Sequence, residues 1–229
     1  MSSRDAFLAR VRQAAEQGRQ YRVHVQDVPD EIGYVGAGGD VCARLAEEVN
    51  AVGGQAFVVS DLKAAGEQLQ KLLAEEDVAS AVCWRHELLD RLGLGSLLSA
   101  AGVERIDRDR LNQLSTSEQR QMLLACDVGI TSCDSAIAET GTLMMVARPG
   151  QERVASLLPP IHIAIVHRRQ IVPDLIDAFD LLREQGLDQL ASNVTFITGP
   201  SKTGDIELQL TTGVHGPGKW RVIVVDGSE

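Results

Sequence analysis

The chain is poor in aromatic residues, has no paired-cysteine motif and contains no long apolar run, and each shortage removes a class of function. Only 3% of its 229 residues are aromatic, although 44% are hydrophobic. The apolar mass is Ala, Val, Leu and Ile, the composition of a helix-covered parallel sheet. The four cysteines, Cys42, Cys83, Cys126 and Cys133, include no C-x-x-C pair, which argues against an iron–sulphur cluster or a structural zinc. Cys42 and Cys83 read as small core residues, and Cys133 has no basic neighbour to lower its pKa. No run reaches the roughly 20 apolar residues of a membrane helix. The first residues lead into an amphipathic pattern instead of a signal-peptide core, so no membrane insertion is expected and a cytoplasmic location is. The formal net charge of −10 repels nucleic acid and anionic membranes alike. No Gly-x-Gly-x-x-Gly follows a strand, and Lys202-Thr203 precedes Gly204 where a P-loop has glycine before the lysine. Neither a dinucleotide site nor a Walker site is expected, and no cofactor bound by this chain is expected.

What is present is a regular alternation. Residues 4–17 put Phe7, Leu8, Val11, Ala14 and Ala15 on one helical face, and a poorly patterned segment follows. Residues 1–39 therefore read as an N-terminal helix and irregular arm, and 40–229 as a single α/β domain. Asp40 and Asp61 stand as helix caps, Ser115-Thr-Ser117-Glu118 as a capping box, and Pro173-Asp174 as a helix start with Gly186 as its stop. Between these helices lie short apolar runs at 55–59, 78–83, 126–130, 142–147, 161–166, 194–198 and 220–225. Strands separated by helices predict a three-layer α/β fold with a mostly parallel sheet and helices on both faces.

Two polar segments interrupt this pattern. Gly199-Pro200-Ser201-Lys202-Thr203-Gly204-Asp205-Ile206-Glu207 is followed by Gly213-Val214-His215-Gly216-Pro217. The segment lies between two apolar runs that both read as buried strands. Its glycines expose backbone N–H groups, and Ser201, Thr203 and Lys202 add donors, a combination suited to a small anion. Asp205 and Glu207 share one face of an extended segment but with His215 make only a weak metal set. His215 is either an acid or base near neutrality or the pin of a glycine turn. The second segment spans Thr131 to Thr142 and holds Thr131, Ser132, Asp134, Ser135, Glu139 and Thr140 ahead of Gly141, so that seven of twelve residues carry a hydroxyl or carboxylate. It follows a strand, where open α/β sheets collect ligands, and Glu139 is placed to act as nucleophile or base if partly buried. Both loops are expected to meet in one cleft. His162 alternates with Ala164 on a strand and reads as a satisfied core histidine. His167-Arg168-Arg169 ends that strand, either solvated or holding a carboxylate or a subunit contact.

Thr131-Ser132 through Glu139-Thr140-Gly141-Thr142, the Pro160-Ile-His162-Ile run, the Gly-Pro-Ser loop at 199–207 and Gly213-Val-His-Gly-Pro217 together resemble the LUD-domain family, in its lactate utilisation protein C branch. The resemblance is strongest from about 125 to 226. It implies the fold shared by CoA transferases, ribose-phosphate and glucosamine-phosphate isomerases and formyltetrahydrofolate cyclo-ligases. It also implies an accessory or regulatory role in oxidising L-lactate to pyruvate beside iron–sulphur partner proteins, with a pocket for a small carboxylate or phosphate. The alternative is a free-standing acyl/CoA transferase, sugar-phosphate isomerase or cyclo-ligase of that fold, in which Glu139-Thr140-Gly141 is similar to a transferase nucleophile motif.

Overall fold

The computed structural model describes residues 3–19, 37–184, 191–204 and 210–227. The chain divides into two compact units, Met1–Val35 and Gly36–Glu229. The first contains helix α1 (Ser3–Arg19). The second runs, in order, through α2 (Val41–Ala51), β1 (Gln55–Val59), α3 (Leu62–Glu75), β2 (Ser80–Cys83), α4 (Glu87–Arg91), α5 (Leu94–Ala100) and β3 (Glu104–Ile106). It continues through α6 (Arg108–Asn112), α7 (Thr116–Leu124), β4 (Val128–Thr131), β5 (Ser135–Ile137), β6 (Thr142–Val146), α8 (Val154–Leu157), β7 (Ile161–His167) and β8 (Ile171–Val172). It ends with α9 (Leu175–Glu184), β9 (Val194–Ile197), β10 (Lys202–Gly204), β11 (Leu210–Thr212) and β12 (Lys219–Val225).

Six strands form the central sheet in the order β1-β12-β7-β4-β2-β3, and every neighbouring pair is parallel. β7 is buried along its whole length, as a central parallel strand covered on both faces must be. Helices surround this sheet, so the fold is α/β with a mostly parallel sheet. Asp40 caps α2 by accepting from the Cys42 and Ala43 amides at 3.1 and 3.3 Å, and Asp61 caps α3 through the Ala64 amide at 2.8 Å. Cys42, Leu45 and Val49 then face the core from α2. Each such aliphatic side chain withdrawn from water contributes roughly 1.5–3 kcal/mol. The capping box of Ser115 and Glu118 is formed. No helix among the described residues is long and apolar enough to cross a membrane.

A second, four-stranded sheet in the order β8-β5-β6-β9 is where structure and sequence expectation part. The polar segment 131–142 contains a buried strand, β5, paired antiparallel to β6. Its residues Ser135, Ala136 and Ile137 are small enough to pack into a hairpin, and Ile137 joins Met144, Val146, Ala178 and Leu182 in a small satellite cluster under α9. β9 is half-exposed rather than a core strand, because among the described strands it is an edge that pairs with β6 alone. The expected helix stop at Gly186 lies outside the described residues.

Candidate functional site

The segment after β9 leaves the small sheet and enters the central one at β12, so it spans the gap between the two. Gly199 starts the crossing with φ +87°, and a Cβ there would stand 2.9 Å from the Val52 carbonyl oxygen. Only glycine combines that backbone with that approach to the end of α2. The Lys202 ammonium donates to the same Val52 carbonyl at 2.6 Å, a cation placed at the negative end of a helix. The Ser201 amide donates to Pro217 O at 2.8 Å, and Ser201 O accepts from the Gly213 amide at 2.9 Å. Lys202 and Thr203 pair antiparallel with Thr212 and Thr211. Ser201 is thus held at both ends by the second glycine turn, and Gly216 packs directly against its side chain.

These contacts border an open cavity of about 230 Å³. Ser201, His215 and Gly216 line it from the loop, Thr195 and Thr198 from the β9 side, and His162 and Trp220 from the central sheet. Trp220 is the register partner of His162 in the parallel β12–β7 pair, so their side chains emerge on the same face, one strand spacing apart. His162 is fully buried, and Trp220 is 1% exposed. The His162 Nε2 and Thr131 Oγ1 are hydrogen-bonded at 2.8 Å. Burial pushes the His162 pKa down to about 3, so the ring is neutral. Its Nδ1 and the Trp220 Nε1 have no hydrogen-bond partner among the described residues. An unsatisfied buried donor or acceptor costs about 1–3 kcal/mol, and such groups are rare enough to require an explanation. Whichever way the Thr131 bond runs, Nδ1 is left with one unmet donor or acceptor and the Trp220 Nε1 with an unmet donor, on two residues of the cavity wall.

The remaining expected site residues are distributed around this cavity and away from it. Thr131 reaches it through His162. Thr140, Thr142 and Thr198 form a hydroxyl chain with steps of 2.7 and 2.8 Å, which joins the Glu-Thr-Gly turn to the cavity wall. Gly141, with φ +62°, lets that turn rest on α2, where a Cβ would meet the Val49 nitrogen at 2.6 Å. Glu139 is half-buried and its amide donates to Pro173 O at 3.0 Å, but it is not a lining residue of the cavity. Ser132 and Asp134 turn elsewhere. The Gln170 side chain donates to Ser132 Oγ at 3.0 Å, and Asp134 accepts from the Val146 amide at 2.7 Å and pairs with Arg148. Ser135 is buried with its hydroxyl unpartnered among the described residues. Asp205 and Glu207 lie outside the described residues. Thr142 of the 131–142 segment thus reaches the cavity wall through Thr198, but no residue of 131–142 lines the cavity with Ser201 and His215, and the Lys202 ammonium is engaged by the Val52 carbonyl.

Sequence reasoning placed His162 in the core and took its hydrogen bonds as satisfied; only one ring nitrogen is. It read Trp220 merely as the start of a strand. The available signal was the pairing of two polar-tipped aromatic rings in strands that both follow proline-containing turns, which becomes visible only once β7 and β12 are known to be neighbours. Cys133 is buried, and burial drives its thiol pKa well above the ordinary range. No group of three or more His, Cys, Asp or Glu among the described residues is placed to hold a metal ion.

Comparison with known proteins is consistent with this architecture. The LUD domain model matches residues 42–225. Lactate utilization protein C of Shouchella clausii is 38% identical over 149 residues, 64% of this chain and 62% of that protein. The protein of the same name from Halalkalibacterium halodurans is 32% identical over 160 residues, 69% of this chain and 67% of its own length. The match to that of Anoxybacillus flavithermus, at 31% identity, covers 74% of this chain and 73% of the relative. The matched region thus spans under two thirds of the first of these relatives. A DUF162 family protein from Deinococcus radiodurans shares the fold, with a TM-score of 0.57 at 22% identity over 81% of this chain and 96% of that one.

Proposed function

The chain belongs to the LUD-domain family, and from that membership we propose that it serves in lactate utilisation, as a component acting with iron–sulphur partner proteins. Its own task in this reading is to hold a small 2-hydroxy or 2-oxo carboxylate, lactate or pyruvate, in the cavity floored by His162 and Trp220. The names of the relatives support the pathway. The single observation that supports the ligand is the pair of unpartnered buried ring nitrogens in register on adjacent strands. With the Thr131 hydroxyl donating to Nε2, the His162 Nδ1 carries a proton, so that with the Trp220 Nε1–H two residues of the cavity wall hold two unmet donors, equal in number to the oxygens of a carboxylate. The Ser201 hydroxyl and the His215 ring are then available to the substituent on the neighbouring carbon. The volume of about 230 Å³ falls below the roughly 300–1,000 Å³ of sites for drug-sized ligands, which favours a ligand of a few heavy atoms. Hydrogen bonds to an ionised acceptor are the stronger kind.

Calorimetry with L-lactate, pyruvate and acetate tests the reading. Saturable binding at one site is expected for lactate and pyruvate, weakened about tenfold by Trp220→Phe, which removes only the N–H and a ring. Wild-type protein that takes up none of the three acids would overturn the carboxylate assignment.

A further inference from the structure

The cavity floored by His162 and Trp220 is walled by more than polar groups. Three elements bring apolar residues to it: Leu157 at the end of α8, Ile197 on β9 and Pro217 in the glycine turn. On β9, alternation puts Ile197 on the same face as Thr195, which also lines the cavity. Ile197 packs against the main core, whereas Val194 packs against the satellite cluster. Phe196, a lining residue too, shares the face of Val194, where its ring meets that of Phe179 at 5.6 Å between centroids. Gly216 stands where polar and apolar wall residues meet. Its φ is outside the left-handed region, so close approach and not backbone conformation explains the glycine. A Cβ there would stand 3.3 Å from the Ser201 Cβ and 3.4 Å from the Leu157 carbonyl oxygen. Ser201 and Leu157 thus flank one glycine, a hydrogen-bonding residue beside an apolar one.

We propose that this site prefers 2-hydroxy or 2-oxo acids whose side chain is aliphatic and longer than a methyl group, and that Leu157 and Ile197 read its length. The inference rests on the carboxylate reading of the cavity and adds the remaining substituent. Beside its carboxylate such an acid carries an oxygen and a side chain on one carbon. The unmet donors of His162 and Trp220 answer the carboxylate, and Ser201 and His215 answer the oxygen. The other hydroxyls of the wall are engaged: Ser156 donates to the Arg153 carbonyl, Thr195 to the Asn193 side chain, and Thr198 is bonded to Thr142. Among the described residues no Lys, Arg, Asp or Glu lines the cavity. A second charge on the ligand would therefore lose water without gaining a partner, whereas an aliphatic group finds Leu157, Ile197 and Pro217. The volume of about 230 Å³ equals roughly eight water volumes of about 30 Å³ each, more than the heavy atoms of lactate occupy. Each further methyl or methylene group withdrawn from water strengthens binding about fourfold.

Calorimetry on the full chain with glycolate, L-lactate, L-2-hydroxybutyrate, L-2-hydroxyisovalerate and L-malate tests it. Affinity is expected to rise about fourfold at each step of the aliphatic series, and malate is expected to bind more weakly than lactate. Leu157→Ser and Ile197→Thr should compress the series, weakening the longest acid most and glycolate least. A merely structural defect would weaken every acid alike, so the slope of affinity against chain length is the readout that matters. Should Ile197→Thr fail to fold, Leu157→Ser, at a position 40% exposed, carries the same expectation. A series that is flat or falls with length in the wild type, malate bound more tightly than lactate, or a slope untouched by either substitution overturns the proposal, and with lactate still bound it leaves the carboxylate reading standing. Wild-type protein that binds none of the acids overturns both.

Discussion

Trp220 and His162 stand opposite each other in neighbouring parallel strands, and each keeps one buried ring nitrogen without a hydrogen-bond partner among the described residues. Side by side they are a local loss of stability on strands whose other buried residues are mostly apolar. A site that must bind a polar ligand with groups already fixed in place carries this cost before the ligand arrives.

The cost is measurable at Trp220. Trp220→Phe removes a buried donor that no described residue satisfies, and an unmade hydrogen bond of this kind costs about 1–3 kcal/mol against the loss of ring contacts. The unliganded variant is expected to unfold in urea at a higher concentration, with a gain of about 1 kcal/mol, while its affinity for lactate falls. A variant less stable than wild type would show that Nε1 is satisfied in solution and that the cavity is not preorganised.

His162 makes stability depend on pH in a defined direction. Its folded pKa is depressed to about 3 by burial, whereas an unfolded histidine titrates near 6.5. Between those values the unfolded chain binds a proton that the folded chain refuses, so stability declines as pH is lowered through that window. One such residue contributes a slope of up to about 1.4 kcal/mol per pH unit. His162→Gln keeps a polar group near Thr131 but does not titrate. Its stability deficit relative to wild type is expected to shrink steadily as urea unfolding is repeated from neutral pH downward. A deficit constant across that range would mean that the ring is hydrated and titrates normally.

The Val52 carbonyl ties the 199–217 segment to α2, through the Lys202 ammonium and the close passage of Gly199. Gly199→Ala forces a side chain into the left-handed region and against that carbonyl, and is expected to cost about 2 kcal/mol or more. Lys202→Ala removes only one exposed bond and is expected to cost less, and to leave lactate affinity unchanged. Urea midpoints order the two effects, and a weakened lactate affinity in Lys202→Ala would return the ammonium to the ligand.

Much of the scaffold was legible in the residues. The Asp40 and Asp61 caps, the Ser115 capping box and the all-apolar run of β7 follow from local chemistry, and local chemistry is what a single sequence displays. The cavity was legible only in part. Ser201, His215 and Gly216 announce themselves as a glycine-rich polar turn. His162 and Trp220 sit inside hydrophobic strands, and their meaning depends on which strand lies beside which. The 131–142 segment misled for a related reason. Its hydroxyls suggest a solvated loop, yet Ser135 and Thr142 are buried in a hairpin, and hydroxyls are small enough to be tolerated there. The basic end of β7 showed its charge in the sequence, but not that His86, beyond β2, lines one cavity with His167 and Arg169.

The final prediction separates a component from a free-standing enzyme, and Glu139 is the residue on which the two readings divide. A transferase nucleophile must reach a bound acyl group, and nucleophile and base must stand within hydrogen-bond reach of each other or of the reacting atom. Glu139 lies on the β5–β6 turn, with its amide tied to Pro173, and is not part of the wall formed by Ser201, His215, His162 and Trp220. The purified chain is therefore expected to show no CoA-sized mass gain on incubation with acyl-CoA, and none that disappears in Glu139→Gln. It is likewise expected not to reduce a dye with L-lactate by itself, and to support lactate oxidation once iron–sulphur partners are supplied. In that reconstituted system Trp220→Phe should raise the lactate concentration needed for half-maximal rate, whereas Glu139→Gln should leave it unchanged. Intact-mass spectrometry and dye-coupled turnover, run on the same preparations, distinguish the cases. A covalent adduct that depends on Glu139 would make this chain an acyl-transferring enzyme, and dye reduction by the isolated chain would give it a redox activity of its own.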